Sequence, residues 1–329
     1  MSHVAIVGST TLLGREVRDL LDRRRELAEK LTLLAASEEE VGAVTEARGR
    51  AALVSAADPE ALEGVDLLFA CGDVETDLPI VARRPAGVTA ILLSRGAGPE
   101  HGRPVVSGIE GAGLGPGAGE AGEVLVSPHP GAILLAYLMA PLAGLAGGVE
   151  GAAATVIQPV SMLGDPGLEG LLGQTRDILA MTGERRESVF ERQLAFNLYP
   201  TPGGSAGLPE LVRATTGFES PLAIQVLQAP VFHGLACSLS VRFGSDPGEE
   251  ALRRALETQR HVALTEADAA LGTLPGPVES AARGDVLVGS ARPDPSAPGT
   301  YWVWAVLDNL TRGGALNAIE VAEALSARV

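Results

Sequence analysis

The chain opens with Val4-Ala5-Ile6-Val7-Gly8, an apolar run closed by a glycine, and no other stretch limits its fold so tightly. Continuous apolar residues without alternation read as a strand covered on both faces, the condition of a parallel sheet. Behind it, Val17, Leu20, Leu21 and Leu27 recur on one side of a helix predicted from Leu13 to about Lys30. Strand, tight turn and helix in that order open a doubly wound nucleotide-binding fold. The turn residues are Gly8, Ser9, Thr10, Thr11, Leu12, Leu13 and Gly14. The outer glycines are in place, but Thr11 stands where a glycine would let the backbone approach a pyrophosphate. Two readings follow: a cofactor turn, or a turn of the same shape that binds nothing tightly.

Residues 31–36 form the next expected strand, and Ser37-Glu38-Glu39-Glu40 follows it. In a dinucleotide site an acid placed here accepts ribose hydroxyls and repels a 2′-phosphate. Ser37 and Glu38 are therefore cofactor candidates, with NAD favoured over NADP if either binds. The competing reading is an acidic surface turn. Residues 66–72 and 89–94 are further buried strands, Cys71 is read as core, and the Gly/Ala-rich residues 108–122 are read as a loop.

A second constraint is the segment from Val124 to Pro141. An apolar strand runs into Ser127-Pro128-His129-Pro130-Gly131 and then into an apolar helix from about Ala132. Two prolines fix φ at about −65° and a glycine permits a sharp turn, so the tip is held at a helix N-terminus, where the dipole favours an anion. Such an elbow normally presents a nucleophile, yet this tip carries only the Ser127 hydroxyl, His129 and Pro130. Residues 130–149 have no formal charge and are about as long as a bilayer span. Pro141 and the glycines at 131, 144, 147 and 148 interrupt them, and no Lys/Arg flank sets an orientation, so they are read as a buried helix.

Past the elbow the pattern changes. Strands are expected at 151–158, 223–230, 235–243 and 301–306, and helices at 168–181, at 249–257 with Ser245 and Asp246 as caps, and in an amphipathic tail at 309–328. Strands that arrive in runs point to a mainly antiparallel second sheet. At 329 residues the chain is long enough for two cores. A formal charge of −16 argues against nucleic acid and anionic membranes as partners. Two cysteines, Cys71 and Cys237, make neither a metal cluster nor a disulfide framework, and no signal peptide is visible at the start, so a cytoplasmic location is expected.

Taken together, these motifs resemble the aspartate-semialdehyde dehydrogenase family. The resemblance is carried by the Gly8 to Gly14 turn, the Ser127-Pro128 elbow, Gln158-Pro-Val-Ser161, Gln193-Leu-Ala-Phe-Asn197, Ala229-Pro-Val-Phe-His-Gly234 and Asp308-Asn309-Leu-Thr-Arg-Gly313-Gly-Ala-Leu-Asn317, in the family's order over nearly the whole chain. Gln193-Leu-Ala-Phe-Asn197 with Gln228-Ala-Pro-Val-Phe is most similar to the Usg-type branch. The resemblance implies an α/β protein: a Rossmann-type parallel-sheet domain over residues 1–128, an α+β domain with a mainly antiparallel sheet over 129–308 that forms a homodimer, and a C-terminal helix, 309–329, returning to the first domain. It also implies that Gln158, Ser161 and Asn309 face a cofactor.

The family chemistry uses a cysteine thiolate, a histidine base, NADP, phosphate and an arginine that clamps the substrate carboxylate. The resemblance places the thiol at Pro130, the histidine at Leu235 and the arginine at Gln228, and none of the three carries the required group. Lys30 is the only lysine. His129, His233 and Cys237 are the candidates for a relocated site. On one regular strand residues 233 and 237 would share a face about 13 Å apart, too far for direct proton transfer. The expectation is an inactive homologue, a dimeric scaffold or small-molecule binder, with no metal. The alternatives are an NAD(P)-dependent oxidoreductase with a relocated site, and a regulatory subunit paired with a related dehydrogenase.

Overall fold

The computed structural model describes residues 3–109, 122–145, 147–181, 189–201, 203–265 and 274–327. Most of the expected loop at 108–122 lies outside these residues. The chain divides into two compact units, Met1–His129 with Gly314–Val329, and Pro130–Gly313.

The first unit begins with β1 (His3–Val7), α1 (Leu12–Arg23) and β2 (Lys30–Leu34). A hairpin of β3 (Val44–Ala47) and β4 (Arg50–Leu53) follows, then β5 (Leu67–Ala70), α2 (Val74–Ala82), β6 (Thr89–Leu92), β7 (Arg103–Pro104) and β8 (Val124–Val126). Six strands form a sheet in the order β2-β1-β5-β6-β8-β7, every pair parallel. Successive strand residues face opposite sides. Val4, Ile6, Leu67 and Phe69 therefore enter one core cluster, and Ala5, Val7, Leu68 and Ala70 another. With β2 on one side of β1 and β5 on the other, the sheet has its topological switch point at β1, where a crevice opens at the carboxyl ends.

Helix α1 is shorter than its apolar period predicts. It stops at Arg24, whose N–H bonds the Leu21 carbonyl, and Leu27 and Ala28 enter the core from a turn instead of from a helix. Lys30 consequently opens a strand. The hairpin and α2 have no counterpart among the expected elements.

The second unit starts with α3 (Pro130–Leu142), buried on all sides as its uniform apolarity requires, and β9 (Val149–Gln158). Then come α4 (Gly164–Leu179), β10 (Tyr199–Pro200), α5 (Leu208–Thr216), β11 (Leu222–Gln228), β12 (Leu235–Phe243) and α6 (Glu249–Thr258). The unit closes with β13 (Val262–Leu264), α7 (Pro277–Ser280), β14 (Val286–Pro293) and β15 (Thr300–Leu307). Its seven-stranded sheet runs β10-β11-β9-β12-β15-β14-β13. Only the β9–β11 and β13–β14 pairs are parallel, so the sheet is mixed and mainly antiparallel. No helix among the described residues is long and apolar enough to cross a membrane. Asp246 does not cap α6 through its side chain. Its Oδ1 accepts the Gly248 N–H at 2.9 Å and the Tyr301 hydroxyl at 2.5 Å, fixing the turn ahead of the helix.

The tail is not one helix from Asn309. Asp308 Oδ1 accepts the N–H groups of Leu310 and Thr311, a wide turn covers Thr311–Ala315, and only then does α8 (Leu316–Ser326) begin. Ala318, Ile319, Val321, Ala322 and Leu325 join the core cluster of Val4, Val17 and Leu21, and Arg24 Nε reaches Glu323 Oε1 at 2.7 Å. Ile319 is fully buried there. Ile319→Ala is expected to cost the first unit about 2–5 kcal/mol. Calorimetric unfolding checks this, and a melting curve identical to wild type would show that α8 is not docked.

Candidate functional site

The switch-point crevice is built by close backbone approach. Gly8 has φ +68°, and a Cβ there would lie 3.0 Å from the Gly72 nitrogen. A Cβ on Gly14 would lie 2.0 Å from the Gly8 carbonyl oxygen, so only glycine lets α1 start so near β1. Thr11 is the N-cap of α1. Its Oγ1 accepts the Gly14 N–H at 3.0 Å and shares its own hydrogen between the carbonyls of Gly8 (2.9 Å) and Cys71 (3.0 Å). The threonine is thus committed to holding the turn. Ser9 is buried and donates to the Leu34 carbonyl at 3.2 Å, while Thr10, Leu12 and Leu13 are half-buried. By the geometry of any helix start, the N–H groups of Leu12 and Leu13 have no intrahelical acceptor.

At the end of β2, Ser37 and Glu38 are exposed, and it is Glu40 that folds back, its Oε2 accepting the Ala36 N–H at 2.9 Å. Beyond β5 lies a residue that sequence reasoning missed, Asp77 on α2, with no exposed surface. Its Oδ2 accepts the Gly72 N–H at 2.8 Å and the Ser94 hydroxyl at 2.6 Å. Burial raises its pKa to about 6, with the charges of Asp73 and Glu40 adding to the effect and the two hydrogen bonds opposing it. No motif marks Asp77; it lies in a short helix interrupted by Pro79, and only the fold brings it under Gly72.

At the elbow, Ser127 is buried and its Oγ accepts the Asn317 Nδ2–H at 2.9 Å. Asn317, fully buried, also accepts the Ser107 N–H at 2.8 Å and donates to the Val105 carbonyl at 3.1 Å, tying the strand ends to α8. The elbow hydroxyl therefore has a structural partner. Loss of hydration pushes the His129 pKa down to about 4, so its ring is neutral at physiological pH. Pro130 is the first residue of α3, and a Cβ on Gly313 would lie 2.8 Å from the Pro130 Cβ, so the ring fills this space.

In the second unit Gln158 and Gln228 are paired by strand register. Gln158 Nε2 donates to Gln228 Oε1 at 2.9 Å, and Gln228 Nε2 donates to the carbonyls of Gln158 (3.2 Å) and Ala229 (3.3 Å). Both are buried, and the Gln228 amide is engaged on both sides. Asn309 Nδ2 donates to Ser161 Oγ at 3.0 Å, and Asn309 Oδ1 accepts the Gly234 N–H at 3.0 Å. Leu235 is fully buried at the head of β12. Cys237, two residues on, is also fully buried, opposite Val156 and Ala305, and burial pushes its thiol to about 12. His233 is exposed in the preceding turn, and no hydrogen bond joins it to Cys237. Among the described residues no group of His, Cys, Asp and Glu has a geometry that would hold a metal ion.

A glycine turn at the switch point of a parallel sheet, followed by a mainly antiparallel unit, defines a Rossmann-type α/β protein of dehydrogenase architecture. Residues 139–312 match the family described as semialdehyde dehydrogenase, dimerisation domain. A USG-1 protein homolog of Azotobacter vinelandii is 31% identical over 98% of this chain and 97% of its own. An aspartate-semialdehyde dehydrogenase of Prochlorococcus marinus is 28% identical over 99% of this chain and 96% of its own. The solved structure of a probable aspartate-semialdehyde dehydrogenase from Pseudomonas aeruginosa superposes with a TM-score of 0.87 at 28% identity, covering 98% of both chains. The chain belongs to the semialdehyde dehydrogenase family.

Asp77 carries a pH signature. Its folded pKa, about 6, exceeds the ordinary 3.8, so the native chain takes up this proton before the unfolded chain does. The carboxylate therefore weakens the fold above about pH 6, and the penalty is relieved as pH falls toward 3.8. In urea unfolding, wild type minus Asp77→Asn is expected to shift in favour of wild type across this window. A difference independent of pH would refute the burial of a titrating carboxyl.

Proposed function

We propose that this chain is a non-catalytic member of its family: a homodimer whose first unit binds a small ligand, with NAD favoured over NADP, and whose second unit is a dimerisation scaffold. The observation that carries this reading is Pro130 at the start of α3, where the resemblance calls for the attacking thiolate. A proline offers no nucleophile. The chain's two thiols do not replace it. Both are buried, Cys237 is pushed to about 12, and Cys71 is raised well above the ordinary thiol value, so neither is a thiolate at neutral pH.

The other two family functions are missing in the same way. The Gln228 amide is engaged by Gln158 and by backbone carbonyls, and it lacks the charge that holds a carboxylate bidentately. Leu235 brings an alkyl group where a base is needed. Gln158 is paired with Gln228, and Ser161 and Asn309 serve each other and the Gly234 turn, which supports a structural role for all three. The functional division follows the resemblance: residues 1–128 for the nucleotide, 129–308 for the dimer, 309–329 to complete the first core, in a cytoplasmic protein. One observation favours a relocated oxidoreductase site instead. His129 is neutral at physiological pH and so already in the form a general base requires.

Purified protein is expected to show no phosphate-dependent oxidation of an aldehyde with NAD or NADP. Turnover within about a hundredfold of an ordinary enzyme's ~10 s⁻¹ would overturn the non-catalytic reading. If that turnover were abolished by His129→Ala, the relocated site would be the correct one. Light scattering is expected to give twice the chain mass of 33.7 kDa, and a mass of one chain would remove the scaffold role.

A further inference from the structure

Asp77 is a carboxyl with no exposed surface. Its Oδ2 accepts the Gly72 N–H at 2.8 Å and the Ser94 hydroxyl at 2.6 Å, while Oδ1 is buried and accepts nothing. A Cβ on Gly72 would lie 2.8 Å from Oδ1, so the carboxyl is packed directly against the backbone that leaves β5. The turn after β1 lies against the same backbone. A Cβ on Gly8 would be 3.0 Å from the Gly72 nitrogen, and Thr11 Oγ1 donates to the Cys71 carbonyl at 3.0 Å. That turn starts α1, where the N–H groups of Leu12 and Leu13 have no intrahelical acceptor and the dipole favours an anion. Little more than the Gly8 and Gly72 peptides would separate an anion held there from an ionised Asp77, and at a buried carboxylate water screens such a repulsion poorly.

The groups around Asp77 do not relieve it. Asp73 at the start of α2 and Glu40 beyond β2 are acids whose charges add to the repulsion. Asp73 is held by Arg95 in a two-pronged ion pair of 2.6 and 2.7 Å, which commits that cation. At the end of β5 the Cys71 thiol is neutral, raised by burial and then by Asp77 itself, and Ser94, beyond β6, brings only a hydroxyl. No arginine or lysine is paired with Asp77 or Glu40 among the described residues. The partner left is a proton. Bound to Oδ1, it removes the charge and leaves Oδ2 to accept Gly72 and Ser94 as before. Burial has already raised the Asp77 pKa to about 6, so a modest further push completes the transfer near neutrality.

We propose that Asp77 couples ligand binding to proton uptake: an anion seated on the turn at the start of α1 drives a proton onto Oδ1, so that the first unit binds a dinucleotide more tightly in mild acid than above neutrality. The coupling rests on the nucleotide-binding reading of the first unit and adds to it a control by pH. Affinity is flat above the pKa that Asp77 has in the complex, rises as pH falls from that value to about 6, and is flat again below.

The test is calorimetric titration of the full chain with NAD and with NADP between about pH 5.5 and 8 at one ionic strength, because salt screens the repulsion. Near pH 6.5 it is repeated in two buffers of different ionisation enthalpy, which counts the protons taken up. Wild type is expected to bind about tenfold more tightly at the acid end than at the alkaline end, and to take up a fraction of a proton between them. Asp77→Asn removes the charge and is expected to lose both the uptake and the pH dependence, whereas Glu40→Gln is expected to retain both. Melting temperatures without ligand report folding. Ser94→Ala removes a hydrogen bond that favours the carboxylate, and is expected to move the window to higher pH even if Asp77→Asn does not fold. Binding by wild type that ignores pH, uptake that survives Asp77→Asn or vanishes with Glu40→Gln, or a window unmoved by Ser94→Ala overturns the coupling and leaves the nucleotide site standing. Binding of neither cofactor by wild type at any of these pH values overturns the nucleotide reading and the coupling with it.

Discussion

The approach of α1 to the turn after β1 is the contact on which the first unit depends. A helix beginning that close to a strand end leaves no room for a side chain at Gly14, where a Cβ would sit 2.0 Å from the Gly8 carbonyl oxygen. Because the start of the helix is fixed, so is the face it turns to the sheet, and Val17 and Leu21 meet the same cluster that receives Ile319, Val321 and Ala322 from the far end of the chain. Thr11 secures the junction by serving the N–H of Gly14 and the carbonyls of Gly8 and Cys71 together. Thr11 is thus committed as the cap of α1.

Buried amides play the same part in other places. Asn317 joins Ser107, Val105 and Ser127, and Asn309 joins Ser161 to Gly234, each satisfying groups that would be costly to bury unpaired. Gln158 and Gln228 close on each other across the β9–β11 pair. The glutamine pair thus closes the end of the β9–β11 pair with neutral groups.

Much of the frame was legible in order of residues. The continuous apolar runs of β1, β5 and β6 and the alternation of β12 identify two kinds of sheet, because burial on both faces and burial on one leave different periods in the sequence. The hairpin β3–β4 left no such trace, since Val44 and Leu53 face solvent. Helix α2 is short and carries Pro79, and α1 ends early because Leu27 and Ala28 reach the core more directly from a turn. The cysteine and histidine candidates could be named from the chain but not placed: Cys237 proved to be interior and His233 exposed, although four residues on one strand would have put them on the same side.

What the sequence determined by itself was chemical identity: which positions hold glycine, proline or an acid, and that the chain's two thiols are Cys71 and Cys237. What only the tertiary structure decided was which groups each carboxyl meets. Glu40 reaches the end of β2 by folding back over its own turn, and Asp77 arrives beneath Gly72 from a separate helix. Their approach depends on the switch of strand order at β1, a relation between distant segments that local spacing does not encode.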